Sequence, residues 1–324
     1  MMTQIKAQPA RLKTKLIMCL LLCGTLISHL CNASPVPKVA AGELVRLDKL
    51  DFGDIQARPV DVWLPPNYLS QPNTRFDVLY VHDGQMQFDA SVSWNRQAWE
   101  LDDTAIELME SGKVRPFIVV AIHNTEALRH SEYFPQKPFK SLPNATQTKL
   151  LEAERSAGVK LFAAPLYSDL YLDFIVRRLK PYIDQHFRVN TTAEHTFIMG
   201  SSMGGLISMY AALEYPDVFG AAACLSTHWP GVFSEPDNPL PAAFADYLGS
   251  KLSPTSKTRL YFDHGDATLD ALYPPLQAQM DNSMRKSGYP ETLWESRYFK
   301  GADHTETAWA ERLAIPLQFL LSSH

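Results

Sequence analysis

Apolar positions along the chain follow two alternating rhythms. Short blocks rich in β-branched and aromatic residues, "VDVWL" at 60–64, "FDVLYV" at 76–81 and "PFIVVAI" at 116–122, end abruptly in proline, Asp-Gly or polar residues. The third is apolar without interruption, as expected of a strand covered on both faces. Similar blocks recur at 196–199, 220–225, 259–262 and 293–299. Between them, apolar residues return at helical spacing over 96–109, 166–186, 203–215, 275–287 and 305–321, and Pro316 should kink or split the last of these. Strand and helix in alternation predict an α/β fold with a largely parallel central sheet and helices on both faces. The stretch 124–165 breaks the rhythm: it carries several prolines, a polar run "NATQTKLLEAERSAG" and no convincing strand. It reads as a binding loop or lid, or equally as a surface insertion, within a single domain over 34–324.

The first thirty-odd residues are of another kind. Arg11, Lys13 and Lys15 precede an apolar run at 16–30, and Cys31-Asn32-Ala33 then offers small residues for a signal peptidase. The run is shorter than the roughly 20 apolar residues a spanning helix needs, so a cleaved signal at 1–33 is expected rather than a retained anchor. Cleavage after Ala33 would leave an exported protein, periplasmic or secreted, with no stable membrane anchor. Cys19, Cys23 and Cys31 depart with the signal, and Cys224, in the apolar run "FGAAACLS", remains as a small core residue.

Composition narrows the partners. A chain of 324 residues with 46% hydrophobic and 20% charged residues can bury a large core. A net charge of −5 without a long basic run gives no footprint for nucleic acid. A small or neutral partner is expected.

The chemistry centres on "HTFIMGSSMGGLISMY", where a strand-like run passes through glycines and serines into a helix-like one. Gly200-Ser201-Ser202-Met203-Gly204 fits G-x-S-x-G, the tight strand-to-helix turn that exposes a nucleophilic serine. A serine hydroxyl needs a base for its proton, an acid to orient that base, and donors for the oxyanion. The N–H of Met203, at the start of the following helix, is one expected donor. "VLYVHDGQMQFD" supplies the other: the strand ends at His82, and the turn Asp83-Gly84-Gln85 can aim the N–H of Gln85, with Gly84 close behind, back toward Ser202. The base must come late in the chain, and His304 in "FKGADHTETAW" lies in the loop after the last strand. The terminal His324 is expected to fray.

These segments resemble a known family. "HDGQMQFD", "GSSMGGLISMY", Tyr-Pro-x-x-Phe-Gly at 215–220 and "GADHTETAW" are similar to the Putative esterase family of α/β-hydrolases. That family includes enterochelin, feruloyl and acetyl-xylan esterases, S-formylglutathione hydrolase and mycolyltransferases. The resemblance runs from about Val45 to Leu321 and implies the α/β-hydrolase fold, a serine mechanism without cofactor and a small-molecule ester substrate. His82 stands where the family usually has a hydrophobic residue, placing an imidazole near the acyl pocket or simply at a strand end. His228 and Trp229 in "LSTHWPGVF" should reach the active edge of the sheet as substrate contacts or as packing. Arg129, near Glu132 and Tyr133, is expected to bind a polar substrate group or to pair with Glu132. "FDHGDATLD" lacks the carboxylate pattern of a calcium loop, so no metal site is expected.

The acid lies among Asp263, Asp266 and Asp270. Asp263 belongs to the strand end, and Asp266 suits turn-making beside Gly265. Asp270 is far enough along the loop to swing toward His304 and is favoured, although the family's usual Gly-x-x-Asp/Glu spacing falls on Thr268. The sequence therefore predicts an exported esterase with Ser202, His304 and Asp270. An acyltransferase of the mycolyl type and a non-catalytic binding module on the same fold are the rival readings.

Overall fold

The structure, a computed structural model, describes residues 35–47, 49–232 and 237–322. The expected signal at 1–33 and the terminal His324 lie outside the described residues. Residues 36–324 group into one compact unit.

Eight strands form the central sheet: β1 (Glu43–Arg46), β2 (Val60–Leu64), β3 (Asp77–Val81), β4 (Phe117–Ile122), β7 (Thr196–Ser201), β8 (Ala221–Leu225), β9 (Arg259–His264) and β10 (Trp294–Tyr298). Their order is β1-β2-β4-β3-β7-β8-β9-β10. Only the pairings of β2 with β1 and β4 are antiparallel; the rest are parallel. Chain order runs one way from β3 to β4 and the other way from β7 onward, so the sheet has a topological switch point between β3 and β7. Open α/β sheets bind ligands in the crevice at the carboxyl ends of strands at such a point.

Alternation along the buried strands sorts side chains onto two faces. Val60, Val62, Val78, Tyr80, Val120 and Ile198 join one core, while Trp63, Leu79, Val81, Val119, Phe197 and Met199 join the other. Short helices α1 (Asn67–Ser70), α3 (Arg129–Tyr133), α4 (Gln136–Lys140) and α5 (Asn144–Leu151) belong to loops. Longer ones are α2 (Leu101–Glu110), α8 (Met203–Glu214), α9 (Leu240–Lys251) and α10 (Tyr273–Lys286), and α11 (Glu306–Arg312) and α12 (Ala314–Leu321) close the chain. α6 (Ser168–Phe174) continues through a π-helical turn at Ile175–Leu179 into α7 (Lys180–His186). No helix among the described residues is long and apolar enough to cross a membrane.

Two expectations need correcting, on the helix over 96–109 and on the stretch 124–165, while the expected split of the terminal helix is present. The helix over 96–109 begins only at Leu101, because Arg96 and Glu100 take left-handed backbone angles of φ 59° and 50°. The terminal helix divides at Leu313, three residues before Pro316, since a proline obstructs the turn that precedes it. The stretch 124–165 is not strandless: β5 (Glu154–Ser156) and β6 (Val159–Lys160) pair as a small exposed hairpin. The same stretch sends Tyr133, Phe134, Phe139, Leu150, Leu161 and Phe162 into the core, so it is a packed part of the unit.

Candidate active site

Ser202 occupies the turn between β7 and α8 with φ 57° and ψ −119°, a strained conformation for a residue with a side chain. The turn tolerates no bulk at Gly200, where a Cβ would stand 2.7 Å from the Gly204 backbone carbon. The backbone of Ser202 is held on both sides by the end of β8 and the loop after it, through Ser202 N–H to the Leu225 carbonyl (2.9 Å) and His228 N–H to the Ser202 carbonyl (3.1 Å). Ser202 is half-buried, whereas Ser201 belongs to the strand and is buried.

His304 sits immediately before the capping residue of α11, Thr305, whose hydroxyl accepts from the Ala308 N–H. Its Nδ1 lies 2.6 Å from Asp270 Oδ1. The acid loop and the histidine loop are joined by the N–H groups of Asp266 and Ala267, both 3.1 Å from the Ala302 carbonyl. Burial alone would raise the Asp270 carboxyl, but the hydrogen bond and charge of His304, the Ser226 hydroxyl and the Gly265 N–H outweigh it and hold the group below the usual carboxylate range. The other two aspartates have different partners. Asp263 is buried against Arg312 (2.9 Å) and the Tyr261 hydroxyl (3.0 Å). Asp266 is half-buried in the loop and accepts from the Gly301 N–H (2.6 Å) and the Tyr298 hydroxyl.

On the other side of the switch point, β3 is followed by His82, whose N–H bonds the Met199 carbonyl (3.0 Å). Asp83 then turns left-handed (φ 55°) into a short 3₁₀ turn, Gly84–Met86, that contains Gln85. Gly84 is required here because a Cβ would meet the Ala121 carbonyl at 2.7 Å. Among the described residues, no backbone carbonyl accepts from the N–H of Gln85 or of Met203. Arg129 braces the turn: its Nε and Nη2 each lie 2.7 Å from an Asp83 oxygen, and Asn124 Nδ2 adds a third bond at 2.6 Å. The Asn124 N–H in turn holds the Gln85 side-chain oxygen (3.1 Å). Arg129 does not pair with Glu132, which bonds Arg58 instead (2.5 and 2.7 Å).

The remaining expected contacts divide. Trp229 is fully buried, packed against Phe244 and Phe262 with its indole N–H on Gln277 (2.8 Å), so it is a core residue and its geometry gives substrate nothing to touch. His82 is buried with Nδ1 on the Tyr171 hydroxyl (2.9 Å), and burial foremost lowers it to about 3. His228 is buried with Nδ1 2.9 Å from the Tyr273 hydroxyl. Tyr273 was not singled out by the sequence, yet it borders His228 and His304: burial raises its phenol well above the ordinary range, the Ser202 side chain pulling the other way, and its ring stands edge-on to His304 at 5.7 Å. Ser226, Trp309 and Arg312 were also missed. Ser226 bonds Asp270 from the end of β8, Trp309 and Arg312 bond the Ser226 hydroxyl from α11, and no spacing rule marks such a meeting. Cys224 is buried in β8, where burial pushes its thiol up and away from reactivity.

The Putative esterase family matches residues 56–319. The chain belongs to this family. Among curated relatives, the uncharacterized protein YbbA of Bacillus subtilis (strain 168) is 28% identical over 177 residues, 53% of this chain. The match spans 58% of that relative's length. Among solved structures, a ferulic acid esterase superposes with a TM-score of 0.59 at 19% identity, over 86% of this chain and 97% of that one. An IroE-like serine hydrolase from Shewanella oneidensis gives 0.57 at 18% identity, over 86% and 78%. At such identities the likeness shows the fold, which is that of the α/β-hydrolases; membership of the esterase family supports ester hydrolysis.

Proposed function

We propose that the protein is an exported serine esterase that hydrolyses small carboxylic esters through Ser202, His304 and Asp270. The observation that carries this reading is the 2.6 Å contact of His304 Nδ1 with a buried Asp270, in a chain whose only G-x-S-x-G turn strains Ser202 out at the same sheet edge. Asp270 holds the imidazole with Nδ1 protonated, which leaves Nε2 free of a proton. Ser202 Oγ attacks the acyl carbon as its proton passes to Nε2. The N–H groups of Met203 and Gln85 receive the carbonyl oxygen as it becomes negative. The alkoxide then leaves with the proton from Nε2, and water repeats the sequence to release the acid and restore Ser202. No cofactor is needed.

Substrate class is tested by comparing p-nitrophenyl esters of increasing chain length with feruloyl esters, catecholate siderophores and acylated sugars. Ser202→Ala should lower turnover on the best of them by roughly three orders of magnitude or more and abolish labelling by a fluorophosphonate, with the fold retained. Near-normal hydrolysis by that variant would remove Ser202 from the mechanism. Partition of product between water and an added alcohol separates a hydrolase from an acyltransferase. Export is tested by mass spectrometry of protein recovered outside the cytoplasm: a terminus at Ser34 is expected, and an intact Met1 counts against cleavage.

A further inference from the structure

Ser226 lies one residue beyond β8 with φ 40°, a backbone angle that side-chain-bearing residues seldom adopt. It is fully buried, and its hydroxyl is saturated. Trp309 Nε1 lies 2.9 Å from Oγ, Arg312 Nη2 lies 3.0 Å from it, and Asp270 Oδ2 lies 2.6 Å away. A hydroxyl has one proton and two lone pairs. With two N–H donors fixed on the lone pairs, the proton has one destination, the Asp270 carboxylate. Arg312 is itself held by Asp263 (2.9 and 3.3 Å), and Asp263 also fixes the Ser226 backbone, its carbonyl accepting the Ser226 N–H at 2.9 Å.

A buried polar network of this kind can serve only to pin α11 to the sheet. Two features say more. The Arg312 charge is already answered by Asp263, so satisfying the arginine does not require the chain of bonds to continue to Asp270. And it continues to the oxygen of Asp270 opposite the one that faces His304, where it can govern how that carboxylate is turned and how much charge it presents.

We infer that Ser226, backed by Arg312 and Trp309, is a positioning residue for the acid Asp270 and thereby sets the pH below which His304 no longer serves as a base. This rests on the assignment of Asp270 and His304 proposed above. The other groups around the pair are accounted for. Tyr273 faces His304 from the start of α10, and His228 faces it from the loop after β8. The Gly265 N–H bonds Asp270 Oδ2 at 2.6 Å. On the histidine's own segment, Asp303 accepts from the Thr305 hydroxyl (2.6 Å) and Glu306 from Asn95 (2.7 Å). The link through Ser226 is thus the route by which a buried cation bears on the acid.

The sign follows from the bonds. The Ser226 proton and the Arg312 charge stabilise the carboxylate, so they weaken its hold on a protonated imidazole. Removing the hydroxyl makes Asp270 a stronger acceptor and His304 keeps its second proton to higher pH.

Ser226→Gly is the informative variant, because glycine accepts φ 40° without strain while the hydroxyl is lost. With p-nitrophenyl acetate, the acid limb of kcat/KM should move up by ~0.5–1 pH unit, with kcat reduced ~10-fold or more and KM within ~2-fold of the original. Arg312→Met should move the limb the same way, and Arg312→Lys, which keeps the cation, by less. The downfield proton resonance of His304 Nδ1–H should shift in Ser226→Gly, a readout that does not depend on turnover. A folded Ser226→Gly with the original acid limb and resonance overturns the inference. If that variant does not fold, an unmoved limb in Arg312→Met overturns it equally. Should the wild-type chain hydrolyse no ester while the resonance moves as stated, the esterase reading fails and the Ser226 link stands.

Discussion

Three aspartates within eight residues of one another have three different fates, and the difference is one of partners rather than of residue type. Asp263 meets a fixed cation, Asp266 closes a half-buried turn, and Asp270 meets an imidazole and a hydroxyl. Only the last can keep a neutral histidine in the tautomer that leaves Nε2 available. Asp270→Asn preserves shape but offers an amide where a carboxylate accepted from Nδ1, which favours the wrong tautomer. It is expected to lower kcat by roughly 10⁴ if the coupling is as tight as in chymotrypsin-like proteases. Asp266→Asn, altered at that turn, should stay within about two-fold in kcat, since surface changes away from a strained or buried feature move little. Steady-state kinetics on both variants decides the assignment, and the reverse ranking would give the acid's part to Asp266.

The turn after β3 and the loop after β4 work as one element, because Arg129 and Asn124 reach back to the left-handed Asp83. Holding Asp83 there fixes the following 3₁₀ turn and with it the direction of the Gln85 N–H. Arg129→Met leaves a buried carboxylate with Asn124 as its remaining side-chain partner. Stability should fall by roughly 1–3 kcal/mol, less than for a fully buried pair because the guanidinium is partly exposed. In kcat the loss should be roughly 10-fold to 100-fold, with KM little changed, because a displaced oxyanion donor is felt mainly in the transition state. A variant that loses stability but keeps kcat would reduce the brace to a structural role. The sheet strands from β2 onward, the serine turn and the histidine loop were legible in the sequence because each is marked by local pattern: apolar runs, glycines around a serine, a loop before a capped helix; the short, half-exposed β1 carries no such run and was not read. The Asp83–Arg129 brace and the Ser226 network were not, since they join residues 46 and 86 positions apart that nothing local connects. The late start of α2 was hidden for a related reason: Arg96 and Glu100 are left-handed, and neither is a glycine or asparagine that would announce it.

At the scale of the whole molecule, the core that holds Tyr133, Phe134, Phe162 and Tyr171 is bordered near the active edge by imidazoles that the fold keeps neutral. His82, His130 and His228 are all buried, and burial is the leading cause that lowers each: His82 and His130 to about 3, His228 well below its ordinary value. Arg129 adds to the lowering in all three, while Asp83 opposes it at His82 and the Gly231 carbonyl opposes it at His130. In the unfolded chain the same histidines take up protons as the pH falls through about 6.5. The unfolded state then binds more protons than the folded one, so stability is present above that pH and is lost progressively down to the folded values near 3. Between pH 6.5 and 5 His82 and His130 each cost about 2 kcal/mol, a sizeable part of the roughly 5–15 kcal/mol that holds a domain folded, and His228 acts in the same direction. The depressed carboxylates Asp61, Asp83 and Asp270 act in the same direction but only below about pH 5, where unfolded aspartates begin to protonate. The window from pH 6.5 to 5 therefore isolates the histidines. Urea unfolding of residues 34–324 at half-unit steps should show stability falling steeply across it. His130→Gln, whose amide can still donate to the Gly231 carbonyl bonded by Nε2 at 2.8 Å, should flatten the slope by about one histidine's share. A stability that is level from pH 7 to 5 would mean that these imidazoles are protonated in the folded protein, and the neutral core around the active edge would have to be redrawn.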